Sequence, residues 1–153
     1  MSKQTNIETQ QKMAEAVNQG KLEMLREVFA PDVLEHDPAP DQGPGPEGFI
    51  SFFTHLREAF PDLKVAPEEM VADEEKIAIA YTITGTHEGN FAGIPPTGKK
   101  IKARGMQIAK FNSAGKIVER WGSSDELGIL KQIGGVKGVQ STIQTPAITG
   151  KTA

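Results

Sequence analysis

Along the chain, the spacing of apolar residues changes once, from the period of a helix to the alternation of a strand. Up to Pro61 they recur every three or four positions, with a break at Gly20, and this spacing predicts helices over residues 7–17, 22–29 and 46–60. Beyond a very short extended segment at 33–36, the predicted strands cover residues 63–72, 76–87, 99–111 and 116–121. Helices followed by adjacent strands predict an α+β domain whose mainly antiparallel sheet is wrapped against the helices.

The strand predicted at 99–111 has one face that is apolar except for a single amide. The residues on that face are Ile101, Ala103, Gly105, Gln107, Ala109 and Phe111, and we expect the face to point inward. A buried amide needs hydrogen-bond partners or a ligand, because leaving it unpaired is costly. Two interpretations of Gln107 therefore stay open, contact with a ligand or a partner in a neighbouring strand.

The segment from Lys116 to Gly134 joins the last predicted strand to a short amphipathic helix. Trp121 is the only tryptophan, and at a strand's period of two it shares a face with Asp125 if the extended conformation persists. An aromatic wall beside a carboxylate is a common start to a small-molecule site. The alternative is a capping box of Ser123 and Glu126, with Asp125 stabilising the helix N-terminus, and the local pattern favours this alternative.

Composition excludes several classes of function. With 153 residues the chain predicts one domain, and the absence of cysteine excludes disulfides, thiolate catalysis and cysteine-ligated metals. A net charge of −3, with no basic run longer than two residues, argues against a nucleic-acid partner. No segment has the length of a membrane span or signal peptide, so we expect a cytoplasmic protein without a membrane partner. Nucleotide-binding motifs are absent and the three histidines are scattered, which predicts neither cofactor nor metal.

Several local patterns occur together in an order that is typical of one family. The most specific is GTHEGNFAGIPPTG at residues 85–98. The others are LEHD ending at Asp37, AFPDL at 59–63, GKIVERW at 115–121, Asp125 and QIG at 132–134. Together these patterns resemble the SnoaL-like polyketide cyclase family over roughly residues 7–134. The sequence is thus interpreted as one SnoaL-like domain, residues 1–134, followed by a C-terminal tail at 135–153.

The resemblance implies the conical α+β barrel of nuclear transport factor 2, in which a strongly curved sheet and N-terminal helices enclose a deep, mostly apolar pocket. It also implies a homodimer or homotetramer without metal or cofactor, acting on a small apolar oxygenated molecule. In characterised relatives an acid at the end of the last strand is the general acid/base of an intramolecular aldol ring closure. Asp125 occupies the matching position here.

The candidate site residues combine the resemblance with the side-chain chemistry. The candidate catalytic residues are Asp125 and His36, and the candidate substrate-binding residues are Gln107, Trp121, His87, Tyr81 and Phe53. His36 offers an imidazole for a carbonyl or a proton, or orients the loop that follows it. His87 fits a loop-forming turn at least as well as a site, and Tyr81 fits packing.

Two departures from the family pattern bear on the function. Many relatives carry an arginine in the second predicted strand, where this chain has residues 80–84 without a basic side chain. The segment from Trp121 to Asp125 is smaller and more polar than is usual. Alternatives to a cyclase or isomerase are a non-catalytic binding or assembly module, and a hydrolase or dehydratase. Hydrolysis of an epoxide would need a carboxylate pair, for which Asp37 and Asp125 are the candidates.

Overall fold

A computed structural model of the chain describes residues 2–136. Its helices are α1 (Lys3–Gln19), α2 (Leu25–Val28), α3 (Gly45–Ala59) and α4 (Glu126–Gln132), with a 3₁₀ turn (Leu22–Met24) before α2. Its strands are β1 (Phe29–Glu35), β2 (Lys64–Ala72), β3 (Lys76–Thr86), β4 (Lys100–Phe111) and β5 (Ile117–Ser124). None of the helices in this range is long and apolar enough to cross a membrane. The cytoplasmic location stays a prediction. The domain boundary at residue 134 also stays a prediction, since most of the predicted tail lies outside the described residues.

The five strands form one sheet in the order β1-β5-β4-β3-β2. Neighbouring strands are antiparallel except for β1, which pairs in parallel with β5. The sheet is open, because β1 and β2 are its edges. The predicted α+β class is confirmed, and each of the four strands predicted after Pro61 is present.

Two element boundaries differ from the prediction because tertiary pairing extends the strands. Phe29 was predicted as the end of a helix, but it begins β1 and pairs with Ile117. A short apolar run fits a helix and a buried strand equally well, and here pairing with β5 decides. At the other end of the sheet, β5 continues past Trp121 to Ser124, because Ser124 still pairs with Gly105 of β4.

One face of the sheet carries the helices and the core, and we call it the inner face. Helix α1 packs against β2 and β3, and α3 packs against β1. Burial alternates along β4 as predicted, with the face that includes Gln107 turned inward. Phe29 of β1 stacks on Phe49 of α3 at a centroid distance of 4.0 Å. Burial of one phenylalanine side chain stabilises a fold by about 1.5–3 kcal/mol. The contact between Phe29 and Phe49 therefore helps to hold α3 over the inner face.

The turn after α3 is tied to the end of β3 by one carboxylate. Asp62 Oδ1 accepts a hydrogen bond from the Thr86 backbone N–H (2.6 Å), and Oδ2 accepts one from Thr86 Oγ1 (2.7 Å). The bond from the hydroxyl and then that from the N–H lower the pKa of Asp62 below its ordinary value. The ionised carboxylate is therefore favoured in the folded protein.

Because folding lowers the pKa of Asp62, its contribution to stability is present above the unfolded pKa of about 4. The contribution is lost as the pH falls from about 4 through the lower folded-state value. We expect Asp62→Asn to reduce the free energy of unfolding at pH 7 by about 1 kcal/mol and to flatten its decline between about pH 4 and pH 2. Urea unfolding over a pH series measures both effects, with the exposed Asp32→Asn as control. Parallel pH profiles for wild type and Asp62→Asn would contradict the assignment.

Candidate active site

A cavity of about 540 Å³ lies between the inner face of the sheet and helices α1 and α3. Its volume is within the range of small-molecule sites. Aromatic and aliphatic side chains form most of the wall; they include Phe49, Phe52, Phe53, Leu56, Phe60, Ile79, Ile83, Phe91 and Ile101. The loop after β1, from Asp37 to Gln42, contributes to the rim. The cavity is therefore suited to a largely apolar molecule.

Four polar side chains from four different elements form a hydrogen-bonded chain in the cavity wall. Glu35 of β1 accepts through Oε2 from Arg120 Nη1 of β5 at 2.7 Å. Arg120 Nε donates to Gln107 Oε1 of β4 at 3.0 Å, and Gln107 Nε2 donates to Gln10 Oε1 of α1 at 3.3 Å. The side chains of Glu35 and Arg120 are only 8% and 16% exposed. A buried ion pair with this connectivity supplies the main polar feature of the cavity.

The position of Arg120 follows from the register of β5. Arg120 pairs with Glu35 on one side and with Ala109, an inward residue of β4, on the other. Gly122 follows on the same face, and a Cβ there would lie 2.6 Å from a guanidinium nitrogen of Arg120. The missing side chain at Gly122 thus leaves room for the guanidinium to lie along the strand.

Tyr81 of β3 reaches into the cavity across a second glycine. It pairs with Gly105 of β4, and a Cβ at Gly105 would lie 2.4 Å from the phenol ring. Burial raises the pKa of the Tyr81 phenol above its ordinary value, while the charge and hydrogen bond of Arg120 act in the opposite direction. Since the ordinary value is about 10, the phenol is protonated at neutral pH and is available as a donor.

Asp37 joins the rim of the cavity to the ion pair. Its backbone N–H donates to Glu35 Oε1 at 3.0 Å, and its carboxylate Oδ2 accepts from the Gly122 N–H at 2.9 Å. Glu35 therefore holds Arg120 with one oxygen and the start of the rim loop with the other. The ion pair and the loop are parts of one hydrogen-bonded unit.

Three of the residues predicted to bind substrate line the cavity, namely Gln107, Tyr81 and Phe53. Their contact with a ligand stays a prediction. His87 is fully buried outside the cavity wall, tilted against the Phe60 ring. Its Nδ1 accepts from the Thr97 N–H (3.2 Å) and lies 2.9 Å from Thr97 Oγ1. In the described residues, His87 thus joins the two ends of the loop between β3 and β4.

His36, Trp121 and Asp125 lie away from the cavity wall. His36 stacks on Trp121 at a centroid distance of 4.4 Å, and its Nε2 lies 3.2 Å from Glu119 Oε2. Asp125 is exposed and caps α4, accepting from the Gly128 N–H at 2.9 Å. For Trp121 the physical reason is the alternation of side chains along β5, because Arg120 and Gly122 lie on the inner face and Trp121 lies on the outer face.

Glu35, Arg120 and Gln10 were not among the predicted site residues. A signal for Arg120 was present in the sequence. If the strands on either side of the turn at residues 112–115 pair as a hairpin, the even-numbered residues Arg120 and Gly122 lie on the same face as the inward Gln107. Glu35 and Gln10 carry no such signal. Their position depends on how β1 pairs and how α1 packs. A basic side chain thus reaches the cavity from β5, although β3 has none at residues 80–84.

We expect Gly105→Ala to reduce the free energy of unfolding by about 1–3 kcal/mol, because its Cβ forces the Tyr81 ring to move. Chemical denaturation measures the change. Gly43→Ala is the matched control, since a Cβ there meets nothing within 4 Å. In a Tyr81→Ala background the substitution should be nearly neutral. An equal cost in both backgrounds would mean that the ring is not what Gly105 accommodates.

The described residues form an α+β domain with a mostly apolar cavity, and the cavity wall contains a buried carboxylate–guanidinium pair. Residues 7–133 match the sequence profile of the SnoaL-like polyketide cyclase family, and the chain belongs to this family. The resemblance seen in the sequence is confirmed. The chain is a cyclase-like enzyme, and its function is of the cyclase or isomerase type.

Two similar proteins are aklanonic acid methyl ester cyclases. DauD from Streptomyces sp. strain C5 is 31% identical over 136 residues, which is 84% of this chain and 81% of the relative. DnrD from Streptomyces peucetius is 30% identical over 137 residues, which is 85% of this chain and 91% of the relative.

Solved structures share the fold. IdmH from Streptomyces antibioticus superposes with a TM-score of 0.73 at 32% identity, covering 84% of this chain and 98% of that one. TsrD from Streptomyces laurentii reaches a TM-score of 0.81 at 21% identity, covering 89% of this chain and 99% of that one, and this likeness concerns the fold alone.

Proposed function

We propose that the chain catalyses an intramolecular aldol-type ring closure of a neutral polyketide ester, with Glu35 as general acid/base. The observation that supports this assignment is the mostly buried chain of Glu35, Arg120 and Gln107 at the polar part of an otherwise apolar cavity. The two relatives named as aklanonic acid methyl ester cyclases support the choice of substrate class.

The first step in this mechanism is proton removal from a carbon flanked by two carbonyl groups. Such a carbon is acidic because its carbanion delocalises into oxygen, so the enzyme has to hold one folded conformer and move protons. Glu35 takes the proton. Tyr81 and Gln107 donate hydrogen bonds to the oxygen on which the negative charge develops, and the Arg120 charge stabilises it further.

Ring closure completes the reaction without another reactant. The enolate carbon attacks a second carbonyl carbon of the same molecule, one carbon–carbon bond forms, and the carbonyl becomes an alkoxide. Glu35 returns its proton to the alkoxide, which leaves the enzyme in its starting state. Folding of the substrate within an apolar wall excludes the water that would compete for the enolate.

The assignment of Asp125 as the acid/base stays a prediction, and the same holds for the role of His36. The exposed position of Asp125 and its bond to the Gly128 N–H favour helix capping. The stacking of His36 on Trp121 favours a structural role in the outer face. The two carboxylates can be separated by experiment.

Glu35→Gln should lower kcat by about 10²–10⁴-fold, since general acid/base catalysis contributes that much. Asp125→Asn should leave kcat unchanged and change the free energy of unfolding by less than the about 0.5–2 kcal/mol that loss of a helix cap costs, because an asparagine also caps a helix. Product formation from aklanonic acid methyl ester, followed by liquid chromatography with mass spectrometry, measures the first effect. Loss of turnover in Asp125→Asn with full turnover in Glu35→Gln would overturn the assignment of Glu35.

We also propose that a second copy of the chain covers the outer face of the sheet. Four residues there are in register across four strands, namely Trp121, Ile108, Ala78 and Val71. Ile108 and Val71 are 43% and 68% exposed, and Met106 beside this row is 59% exposed. Charges of both signs border the row, including Arg104 and Glu69 on one side and Lys110 and Glu119 on the other. A second copy related by a two-fold axis would meet opposite charges around an apolar centre.

Ile108→Glu should convert the oligomer into single chains, because it places a carboxylate at the centre of the contact. Sedimentation velocity measures the mass in solution. Glu8→Lys, on the exposed side of α1, should leave the oligomer intact. A wild-type protein that sediments as a single chain at micromolar concentration would refute the contact.

A further inference from the structure

We propose that Gln10 is a positioning residue that fixes the plane of the Gln107 amide, so that the cavity presents N–H donors and selects substrates with carbonyl oxygens. The inference rests on the proposed function for its substrate class, and it concerns a residue of α1 that no step of the mechanism uses. Gln10 and Gln107 are 5% and 6% exposed, and both line the cavity.

The direction of the hydrogen-bonded chain is set from one end. A guanidinium group has donors only, so the atom of Gln107 that faces Arg120 Nε at 3.0 Å has to be the amide oxygen. The amide nitrogen of Gln107 then faces Gln10. The atom that accepts its hydrogen bond at 3.3 Å has to be the Gln10 amide oxygen. Glu35 keeps Arg120 in place at 2.7 Å. The ion pair therefore decides which way both amides point.

As a consequence, the hydrogens that remain unused belong to nitrogen atoms. Both amide oxygens accept a bond within the chain, whereas each amide nitrogen carries two hydrogens. One hydrogen of Gln107 goes to Gln10, and Gln10 Nε2 lies 3.8 Å from Met13 Sδ, which is a weak acceptor. Together with the Tyr81 phenol, these groups match the carbonyl oxygens of a substrate.

Without Gln10, the Gln107 amide would keep its bond to Arg120 but lose the second anchor that fixes its plane. The donor would then no longer be held towards the substrate oxygen, and preorganisation would be lost. A simple packing role predicts a different result, because an apolar residue of similar size would then serve equally well. The acceptor oxygen at position 10 is thus the testable feature.

Two probes of the same three-ring skeleton test the inference without turnover, namely 9,10-anthraquinone, which has two carbonyl oxygens, and anthracene, which has none. Equilibrium dialysis of the whole chain measures both dissociation constants. We expect wild type to bind anthraquinone at least about tenfold more tightly than anthracene, as one or two hydrogen bonds to buried carbonyl oxygens would give. In Gln10→Met the preference should fall below about threefold, with anthracene affinity unchanged.

Gln10→Glu is the matched variant, because it keeps the shape of the side chain and an acceptor oxygen for Gln107, and it replaces the amide nitrogen of residue 10 by a second oxygen. It should retain most of the preference for anthraquinone. Gln10→Leu gives a second measurement should Gln10→Met not fold, which circular dichroism would reveal. This variant also lacks an acceptor at position 10, so it should lose the preference while Gln107 is intact.

Equal preference for anthraquinone in wild type and Gln10→Met, or no preference in wild type, would overturn the inference. This outcome is distinguishable from failure of the proposed function, which is measured as turnover in Glu35→Gln. If Glu35→Gln kept full turnover, Glu35 would be refuted as acid/base. If wild type also preferred anthraquinone and Gln10→Met did not, the role of Gln10 would still stand.

Discussion

The contact between Glu35 and Arg120 is the interaction on which the site depends. It connects the edge strand β1 to β5, anchors the rim loop through the Asp37 N–H, and fixes the amide of Gln107. Both side chains are largely removed from water, so removal of one partner would leave a buried charge, at a cost of about 3–5 kcal/mol. Replacement of both by apolar residues could leave the fold as stable as before. The pair is therefore better explained by the chemistry of the cavity than by stability.

Two glycines give the polar groups of the cavity their room. Gly122 leaves space for the guanidinium of Arg120, and Gly105 leaves space for the Tyr81 ring. In both cases the long side chain lies along the sheet surface where a Cβ would otherwise stand. The inner face can thus hold a donor-rich patch and remain flat enough for an apolar ligand. A strand composed only of larger residues would fill this volume.

The same arrangement explains how one sheet can serve two different purposes. Alternation along β4 and β5 directs Gln107 and Arg120 inward, and it directs Ile108 and Trp121 outward. The inner face meets the helices and the cavity. The outer face keeps an apolar row that the described part of the chain leaves exposed. The residues of the cavity and those of the proposed contact between copies are thus neighbours in the sequence that point to opposite faces of the sheet.

The sequence by itself determined the α+β class, the strands after Pro61, the inward face of Gln107 and the family. These features depend on local periodicity and on motifs such as the segment at residues 85–98, which a single chain displays directly. The local pattern also predicted a helix start at residues 123–126, but the cap is Asp125 and not Ser123, which is still part of β5. Tertiary structure alone decided that Phe29 begins a strand and that Glu35 and Gln10 meet Arg120 and Gln107. These residues are far apart in the sequence, and only the parallel pairing of β1 with β5 and the packing of α1 bring their side chains together.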